Sequence, residues 1–468
     1  MRRLPVLVLL LAAACSSGGD NDAATTTTTP PTTASTTTTT APTTTTTRSS
    51  TPSCPTIPER VPPPADRPTY VLRIDVRPGE NVVVGRTDAR FTPDIPTDRL
   101  VFRLWPNGPR TAAGGARLDV TAVHVGAHPA ESRRPNPTTL EVPVQLAAGQ
   151  RVEASVDWRL TLPGAINDRL SRTGDAIRLG SFFPVLAWER GVGWAADPAT
   201  GGFAESSTPV TADFAASVTV PAGFDVLATG VPDGSGRWTA TAVPDFALTV
   251  GRFTTATATA NAPSPIAVTV GVHAGLRETP QSYLNRVVRT LEDFGRRFGP
   301  YPWPNFTLAI TPNLGGGIEY PMHVMQGPGT IGRTTPHEVG HQWFYGLVSN
   351  NQGRDPWLDE GLATWAEVRF EKEERDLVRT SIPRAGQGRT AEPMTFWQSR
   401  QGIYYRSVYV QGAQALAALG SPDLVDCALQ LYVARHAHRV ATNADLVAAV
   451  EAVFPEGRAV LARFGIRP

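Results

Sequence analysis

The chain has 468 residues, a length that exceeds one ordinary hydrophobic core and predicts two domains with additional segments. Its 43 basic residues are balanced by 42 acidic ones, which argues against a nucleic-acid-binding surface and against a polybasic membrane patch. Charged residues make up only 18% of the chain, while 42 Gly and 43 Pro favour a loop-rich, partly all-β protein over a helical bundle.

Residues 1–14 have the pattern of an export signal, in which two arginines precede an apolar run that ends in three alanines. Cys15 follows at once and resembles the lipid-modified cysteine of bacterial lipoproteins, although Leu11 lies four residues before it rather than three. The alanines also suit an ordinary signal peptidase, so secretion without a lipid stays open. Both alternatives place the mature chain outside the cytoplasm, and a lipid on Cys15 would hold it at the membrane of the cell surface or envelope.

Residues 15–66 are predicted to form a disordered stalk, because the stretch from Ala23 to about Pro64 is almost entirely Thr, Pro, Ser and Ala and cannot bury enough apolar surface to offset its ordering entropy. The stalk resembles O-glycosylated Thr/Pro segments, and a bare linker is the alternative. Two cysteines remain besides Cys15. Cys54 and Cys427 either form a disulfide that ties the stalk to the last domain, or are two unrelated thiols.

Short alternating runs separated by Pro-Gly, Asp-Gly and Asn-Gly turns occupy residues 67–262 and predict an antiparallel β-sandwich or saddle. Residues 263–468 have a different periodicity. Residues 280–298 have helical spacing, 306–310 form an extended run, and helices dominate from Thr335 onward. The predicted fold class is therefore multi-domain α+β, with an N-terminal β domain followed by a mostly α-helical domain.

A possible metal site begins at residue 337 with the sequence His-Glu-Val-Gly-His. On a helix, His337 and His341 project from the same face and can bind one zinc ion, while Glu338 lies beside the metal as a general base for metal-bound water. Thr335 fits the N-cap of such a helix. A purely structural alternative is that Thr335 and Glu338 form a capping box and that the histidines coincide by chance.

Glu360 supplies the third ligand that a catalytic zinc requires, since such sites use three protein ligands and keep one open position. It lies in the sequence Trp-Leu-Asp-Glu-Gly, with eighteen residues between it and His341. The alternative for Glu360 is a solvated carboxylate at a helix start. Glu367, seven residues further, either hydrogen-bonds a ligand histidine or is a surface glutamate.

These residues resemble the aminopeptidase-N-like gluzincins, a family that includes leukotriene hydrolase. The resemblance covers the whole predicted catalytic half in order and approximate spacing, and more diffusely the β-saddle domain of the family. It implies a thermolysin-like catalytic domain in a short two-domain bacterial lipoprotein. It rests on five segments, which are His337 to Phe344, Trp357 to Gly361, Phe298 to Pro302, Gly316 to Tyr320, and Tyr409 to Gly412.

The resemblance implies specific catalytic roles. One zinc ion per chain would be bound by His337, His341 and Glu360. Glu338 would deprotonate the metal-bound water and then protonate the leaving amine. Tyr409 would donate a hydrogen bond to the oxyanion of the tetrahedral intermediate, although its neighbours at 404 and 405 are competing tyrosines.

The resemblance also implies a peptide-binding edge. Glu319 would bind the free α-ammonium of the substrate, and Gly316 and Gly317 would leave a strand edge against which a peptide lies. Ile318 and Tyr320 replace the Met and Asn usual in the family, and the family's further amine-binding residue in the N-terminal domain has no match. Strict aminopeptidase behaviour is therefore in question.

The leading hypothesis is a cell-surface zinc aminopeptidase that removes N-terminal residues from peptides. One alternative is an oligopeptidase or endopeptidase that does not require a free N-terminus. Another is a catalytically silent binding protein of the cell envelope. Among the other histidines, His323 is predicted in a loop, and His436 and His438 at solvated helix positions.

Overall fold

A computed structural model describes residues 51–202 and 210–468. The predicted signal peptide, Cys15 and most of the predicted stalk lie outside the described residues. Within the described part, no helix is long and apolar enough to cross a membrane.

The end of the predicted stalk is attached to the folded body, so its predicted disorder is wrong for residues 51–66. Cys54 forms a disulfide with Cys427. The backbone N–H of Ser53 donates to Val453 O at 3.1 Å, and that of Val61 donates to Ala434 O at 2.9 Å. These bonds offset the entropy of ordering a Pro-rich segment that has little apolar surface of its own. We call residues 51–68 the N-terminal strap.

The first folded region is built mainly from β-strands, as predicted. An eight-stranded sheet has the order β16-β17-β14-β1-β2-β8-β4-β5, and it is antiparallel except where β1 pairs with β14. Two four-stranded sheets have the orders β15-β18-β10-β9 and β11-β3-β7-β6, and β12 pairs with β13. The elements are β1 (Thr69–Arg77), β2 (Val82–Phe91), β3 (Thr97–Arg103), α1 (Pro109–Ala113), β4 (Arg117–Val125), β5 (His128–Pro129), β6 (Arg133–Asn136), β7 (Thr139–Leu146), β8 (Val152–Thr161), β9 (Leu170–Thr173), β10 (Ala176–Leu179), β11 (Val185–Leu186), β12 (Trp188–Glu189), β13 (Gly193–Trp194), β14 (Ala212–Thr219), β15 (Asp225–Ala228), β16 (Val231–Pro232), β17 (Arg237–Val243) and β18 (Leu248–Gly251).

Alternation of side chains explains why β1 belongs to this core. Tyr70, Leu72, Ile74 and Val76 are buried, while the residues between them face outward or are half-buried. This period of two is the pattern of a strand with one face on a hydrophobic core.

The second region combines a five-stranded sheet with helices. The sheet has the order β19-β20-β21-β23-β22, so β22 lies at its edge. The elements are β19 (Phe253–Asn261), β20 (Pro265–His273), α2 (Pro280–Phe298), β21 (Asn305–Ile310), β22 (Gly317–Tyr320), β23 (His323–Gln326), α3 (Thr334–Gly340), β24 (Ser349–Asn350), α4 (Trp357–Glu371), α5 (Glu374–Arg379), α6 (Met394–Trp397), α7 (Gln401–Tyr405), α8 (Gln411–Ala417), α9 (Pro422–His436), β25 (Val440–Ala441), α10 (Asn443–Val453) and α11 (Gly457–Ala462).

The predicted domain boundary between residues 262 and 263 divides a β-hairpin. β19 pairs with β20 from Phe253 to His273 as an antiparallel hairpin, and β20 continues into the sheet of the second region through β21. The sheet of this region therefore begins at Phe253. The sequence concealed this because β19 has the same alternation as the strands before it.

Two histidine predictions are also wrong. His323 lies in β23 rather than in a loop, is fully buried, and its ring contacts the hydroxyls of Thr249 at 2.9 Å and Thr307 at 2.8 Å. Burial lowers the pKa of His323 to about 3. His438 is a buried turn residue after α9, with φ of 62°, and only His436 ends the helix.

Candidate active site

α3 and its C-cap residue His341 present the first two metal-binding side chains, although the helix starts differently from the prediction. The helix begins at Thr334 with Arg333 as its N-cap, so Thr335 is not the cap. Thr335 instead accepts a hydrogen bond from the Gln326 side chain at 3.0 Å. No side-chain hydrogen bond caps α3 among the described residues, which contradicts the capping-box alternative. One carboxylate oxygen of Glu338 is buried there without a hydrogen-bond partner.

Three donor atoms from two helices converge below the cavity. His337 Nε2 lies 3.2 Å from His341 Nε2 and 3.2 Å from Glu360 Oε2, and His341 Nε2 lies 3.4 Å from the same oxygen. All three side chains are buried. Tetrahedral zinc with bonds of about 2.0 to 2.1 Å to N and O separates its ligand atoms by about 3.3 to 3.4 Å. The residues present therefore fit the metal that the sequence predicts.

Outer hydrogen-bond partners orient both histidine rings. His337 Nδ1 lies 3.4 Å from Glu367 Oε2, and His341 Nδ1 lies 3.1 Å from Phe344 O. Glu367 is buried, and its other carboxylate oxygen is 3.2 Å from Arg333 Nε. Glu367 is therefore a partner of a ligand histidine and not a surface glutamate. Such contacts fix the tautomer and the orientation of a metal-binding imidazole.

The charges of this cluster are strongly perturbed. Burial raises the pKa of Glu338 to about 8, against the opposing effect of the two histidines. Burial lowers the pKa of His341, but its hydrogen bond to Glu360 and the charges of Glu319 and Glu360 together outweigh burial and raise that pKa to about 9. Burial raises the pKa of Glu360, yet hydrogen bonds to both histidines hold it well below its usual range. A metal ion at this position must displace histidine protons, so metal affinity should fall as the pH is lowered.

Close packing of two helices brings Tyr409 to the site. A Cβ on Gly412 would lie 3.0 Å from Gly361 Cα, so α4 and α8 approach at a point where a side chain on either helix would be crowded. Tyr409 lies in a π-helical turn, Arg406–Val410, just before α8. Its hydroxyl donates to Glu360 Oε1 at 2.5 Å, and its ring stacks on His337 with centroids 5.6 Å apart.

Glu319 lies on the edge strand β22 and faces the same cluster. It is buried, and one of its carboxylate oxygens accepts no hydrogen bond from the described residues. One ligand atom from each of Glu319, Glu338 and His341 lies within 4.8 Å of the other two. A buried carboxylate oxygen without a hydrogen-bond partner is costly, which is expected where a cationic ligand group completes the site.

Gly317 provides space for Glu338. A Cβ at position 317 would lie 2.3 Å from Glu338 Cγ and 2.5 Å from its Oε1, whereas a Cβ at Gly316 would meet no atom within 4 Å. Gly316 therefore leaves open space just before the edge strand.

We expect Gly317→Ala to lower kcat by about tenfold or more, since the added methyl group must displace the Glu338 carboxylate from its place and a misplacement of about 1 Å can cost up to about 100-fold. Zinc content should stay at one ion per chain. Gly332→Ala is the matched control, because a Cβ there meets no atom within 4 Å. Steady-state kinetics and metal analysis of both variants make the comparison, and equal kcat values would contradict the proposed crowding.

The cavity above the cluster has a volume of about 410 Å³ and is formed by the second region alone. Three of its lining residues could not be predicted from the sequence, because Arg333, Thr334 and Gln401 carry no motif of their own and reach the cavity only through the fold. The full lining of the cavity is Gly315, Gly316, Gly317, Ile318, Glu319, Arg333, Thr334, His337, Glu338, His341, Glu360, Glu367, Gln401, Tyr404, Tyr405 and Tyr409.

Comparisons with known proteins agree with this geometry. Residues 283–461 match the model of the Peptidase family M1 domain. Leucine aminopeptidase 2 of Coccidioides immitis (strain RS) is 31% identical over 91 residues, 18% of this chain and 15% of that protein. Aminopeptidase B of Rattus norvegicus is 30% identical over 104 residues, 20% and 16% of the two chains. Leukotriene A-4 hydrolase of Xenopus laevis is 32% identical over 81 residues, 16% and 13% of the two chains. The matches thus span about a sixth or less of these relatives.

Solved structures extend the likeness to both folded regions. The M1 zinc metallopeptidase from Deinococcus radiodurans has a TM-score of 0.66 and 21% identity, covering 86% of this chain and 94% of that one. A mutant of the same enzyme bound to a Tyr-Ser-Ala substrate has a TM-score of 0.64 and 23% identity, covering 86% and 95%. The two-domain fold is therefore that of an M1 peptidase. The family match and the donor geometry together identify zinc as the cofactor.

Proposed function

Because residues 283–461 match the model of the Peptidase family M1 domain, we propose that this zinc metallopeptidase is an aminopeptidase that removes N-terminal residues from peptides. The observation that carries the proposal is the place of Glu319, a buried carboxylate without a partner for one oxygen, beside Glu338 and the metal ligands. The α-ammonium of a peptide would be the positively charged hydrogen-bond partner of this carboxylate. The edge strand that carries Glu319 can pair with the peptide backbone.

Separate residues bind the metal, transfer the proton and stabilise the oxyanion. Zinc held by His337, His341 and Glu360 would supply Lewis acidity that polarises the scissile carbonyl and makes water more acidic. Glu338 accepts the proton of the attacking water and transfers it to the leaving amine. Tyr409 donates its phenolic proton in a hydrogen bond to the oxyanion of the tetrahedral intermediate.

The electrostatics of the cavity favour a free amine. Four carboxylates line it, those of Glu319, Glu338, Glu360 and Glu367, and Arg333 is the single Lys or Arg in its described lining. Arg333 is itself paired with Glu367 and Glu373. A divalent ion offsets part of the negative charge, and the remainder attracts an ammonium group and disfavours an acidic N-terminal side chain.

Glu319→Gln tests the amine-binding role. We expect kcat/KM for a free-amine aminoacyl substrate to fall by about 100-fold or more, because the variant loses one partner of a buried, hydrogen-bonded charge pair. The N-acetylated substrate, which we expect the wild type to leave intact, should stay uncleaved by the variant. Glu456→Gln, an exposed carboxylate in the same half of the chain, is the control. A kcat/KM for the free-amine substrate within about threefold of the wild-type value would contradict Glu319 as the amine anchor.

We also propose that the enzyme acts outside the cytoplasm and is anchored through a lipid on Cys15. The Cys54–Cys427 disulfide supports export, since such bonds persist in oxidising compartments. We expect the full chain, expressed in a bacterial host, to partition into the detergent phase and Cys15→Ser to partition into the aqueous phase. Aqueous partitioning of both would contradict the anchor and leave secretion.

A further inference from the structure

Arg178 in β10 connects the β domain to the loop that leads into the edge strand β22. Its side chain is almost completely buried at 1% exposure. All five N–H groups of its guanidinium donate hydrogen bonds, which is the full donor capacity of an arginine. Two acceptors lie in the 166–168 loop and three in the 311–313 loop between β21 and β22: Ile166 O at 2.8 Å, Asp168 O at 2.9 Å, Thr311 Oγ1 at 3.2 Å, Pro312 O at 2.8 Å and Asn313 O at 3.2 Å.

A second contact from the same loop reaches the glycine run itself. Asn167 Oδ1 accepts a hydrogen bond from the backbone N–H of Gly315 at 2.9 Å. The loop is anchored in its own domain, since Arg110 Nε donates to Asp168 Oδ2 at 2.6 Å. On the opposite side, the N–H of Gly327 donates to Gly316 O at 2.8 Å. The glycine run is thus bound from both sides just before Glu319.

We propose that Arg178 and Asn167 are positioning residues through which the β domain sets the place of the strand edge and of Glu319. This inference rests on the proposed aminopeptidase function for its kinetic consequence. Three consecutive glycines have a large conformational entropy, and fixing them before the substrate arrives lowers the entropic cost of binding. The β domain therefore acts on substrate binding without lining the cavity.

Lysine cannot replace Arg178 in this role. Its ammonium has three donors on a flexible stem, whereas the five acceptors around Arg178 lie on two separate loops. Arg178→Lys keeps the charge and removes part of the connection. Asn167→Ala is milder, because it removes one hydrogen bond of an exposed side chain.

Arg172→Lys is the matched control. Arg172 lies in the neighbouring strand β9 and its side chain contacts Asn81 Oδ1 at 2.8 Å and Gly174 O at 3.1 Å, both within the β domain. If the effects of Arg178→Lys came only from a loss of stability in the β domain, Arg172→Lys would show them as well.

The experiment combines kinetics, zinc affinity by chelator competition, and hydrogen exchange of the peptide covering residues 311–320. We expect Arg178→Lys and Asn167→Ala to raise KM for a free-amine aminoacyl substrate by about tenfold, with kcat changed less than about threefold and zinc affinity unchanged. Amide exchange in 311–320 should be faster than in the wild type, and Arg172→Lys should match the wild type in all three.

Wild-type exchange and wild-type KM in Asn167→Ala would overturn the proposal, even if Arg178→Lys proved too unstable to purify. Lower thermal stability without a change in KM or in exchange would assign a purely structural role and would overturn it as well. Failure of the proposed function has a different signature, since the wild type would then leave the free-amine substrate intact while the exchange comparison still decides the role of the two residues.

Discussion

Glu338→Gln should lower kcat by about 10³- to 10⁴-fold and leave the zinc bound, because general acid–base catalysis contributes about 10² to 10⁴ and this residue serves both proton transfers. Gln has nearly the same shape as Glu but cannot accept and return a proton. The side chain is buried beside the ligands without being one of the three convergent donors, so metal binding does not depend on it directly.

Three measurements check this prediction: kcat, zinc content and affinity for a free amino acid. We expect one zinc ion per chain and near-normal amino-acid binding in Glu338→Gln, since Glu319 and the strand edge are intact. Rapid turnover by this variant would refute its assignment as the base. Loss of zinc would instead assign Glu338 to metal binding.

Tyr409→Phe should lower kcat by about 10²- to 10³-fold, the usual cost of removing one donor to a developing oxyanion. The ring can remain stacked on His337, so the change is confined to the hydroxyl that now donates to Glu360. Because that hydroxyl contacts a metal ligand, zinc content must be measured beside kcat. We expect it to be retained, since the three ligand side chains are unchanged.

Tyr405→Phe is the control for Tyr409, and it also tests one of the two competing tyrosines. Tyr405 lines the same cavity but is 55% exposed, and its ring centroid lies 5.0 Å from that of Tyr409. We expect its removal to change kcat by less than about threefold, as is usual for an exposed hydroxyl. An inactive Tyr405→Phe with an active Tyr409→Phe would reverse the assignment.

The metal site could be predicted from sequence because its spacing has a local cause. A spacing of four positions places His337 and His341 on one helix face, and the first turn of a second helix carries Glu360. The helix start itself was misplaced, since the Thr335 hydroxyl bonds to Gln326 in β23 rather than to the backbone of its own helix. A tertiary contact thus overrode the local capping preference.

Features that depend on distant parts of the chain could not be predicted in this way. Arg178 is one of 43 basic residues, and nothing near it in sequence indicates the loop that it meets 133 to 135 residues later. The order of residues 51–66 likewise depends on Cys427, and the pairing of Cys54 with it stayed one of two alternatives. The start of the catalytic sheet at Phe253 was hidden because strand alternation does not reveal the partner strand.

The most direct test of the central claim compares a free-amine aminoacyl substrate with its N-acetylated counterpart on the wild-type enzyme, with and without a chelator. We predict cleavage of the free-amine substrate alone, its loss with the chelator, and its return when zinc is restored. Equal cleavage of both substrates would contradict the aminopeptidase assignment and favour an oligopeptidase. Cleavage of neither substrate would favour a silent binding protein.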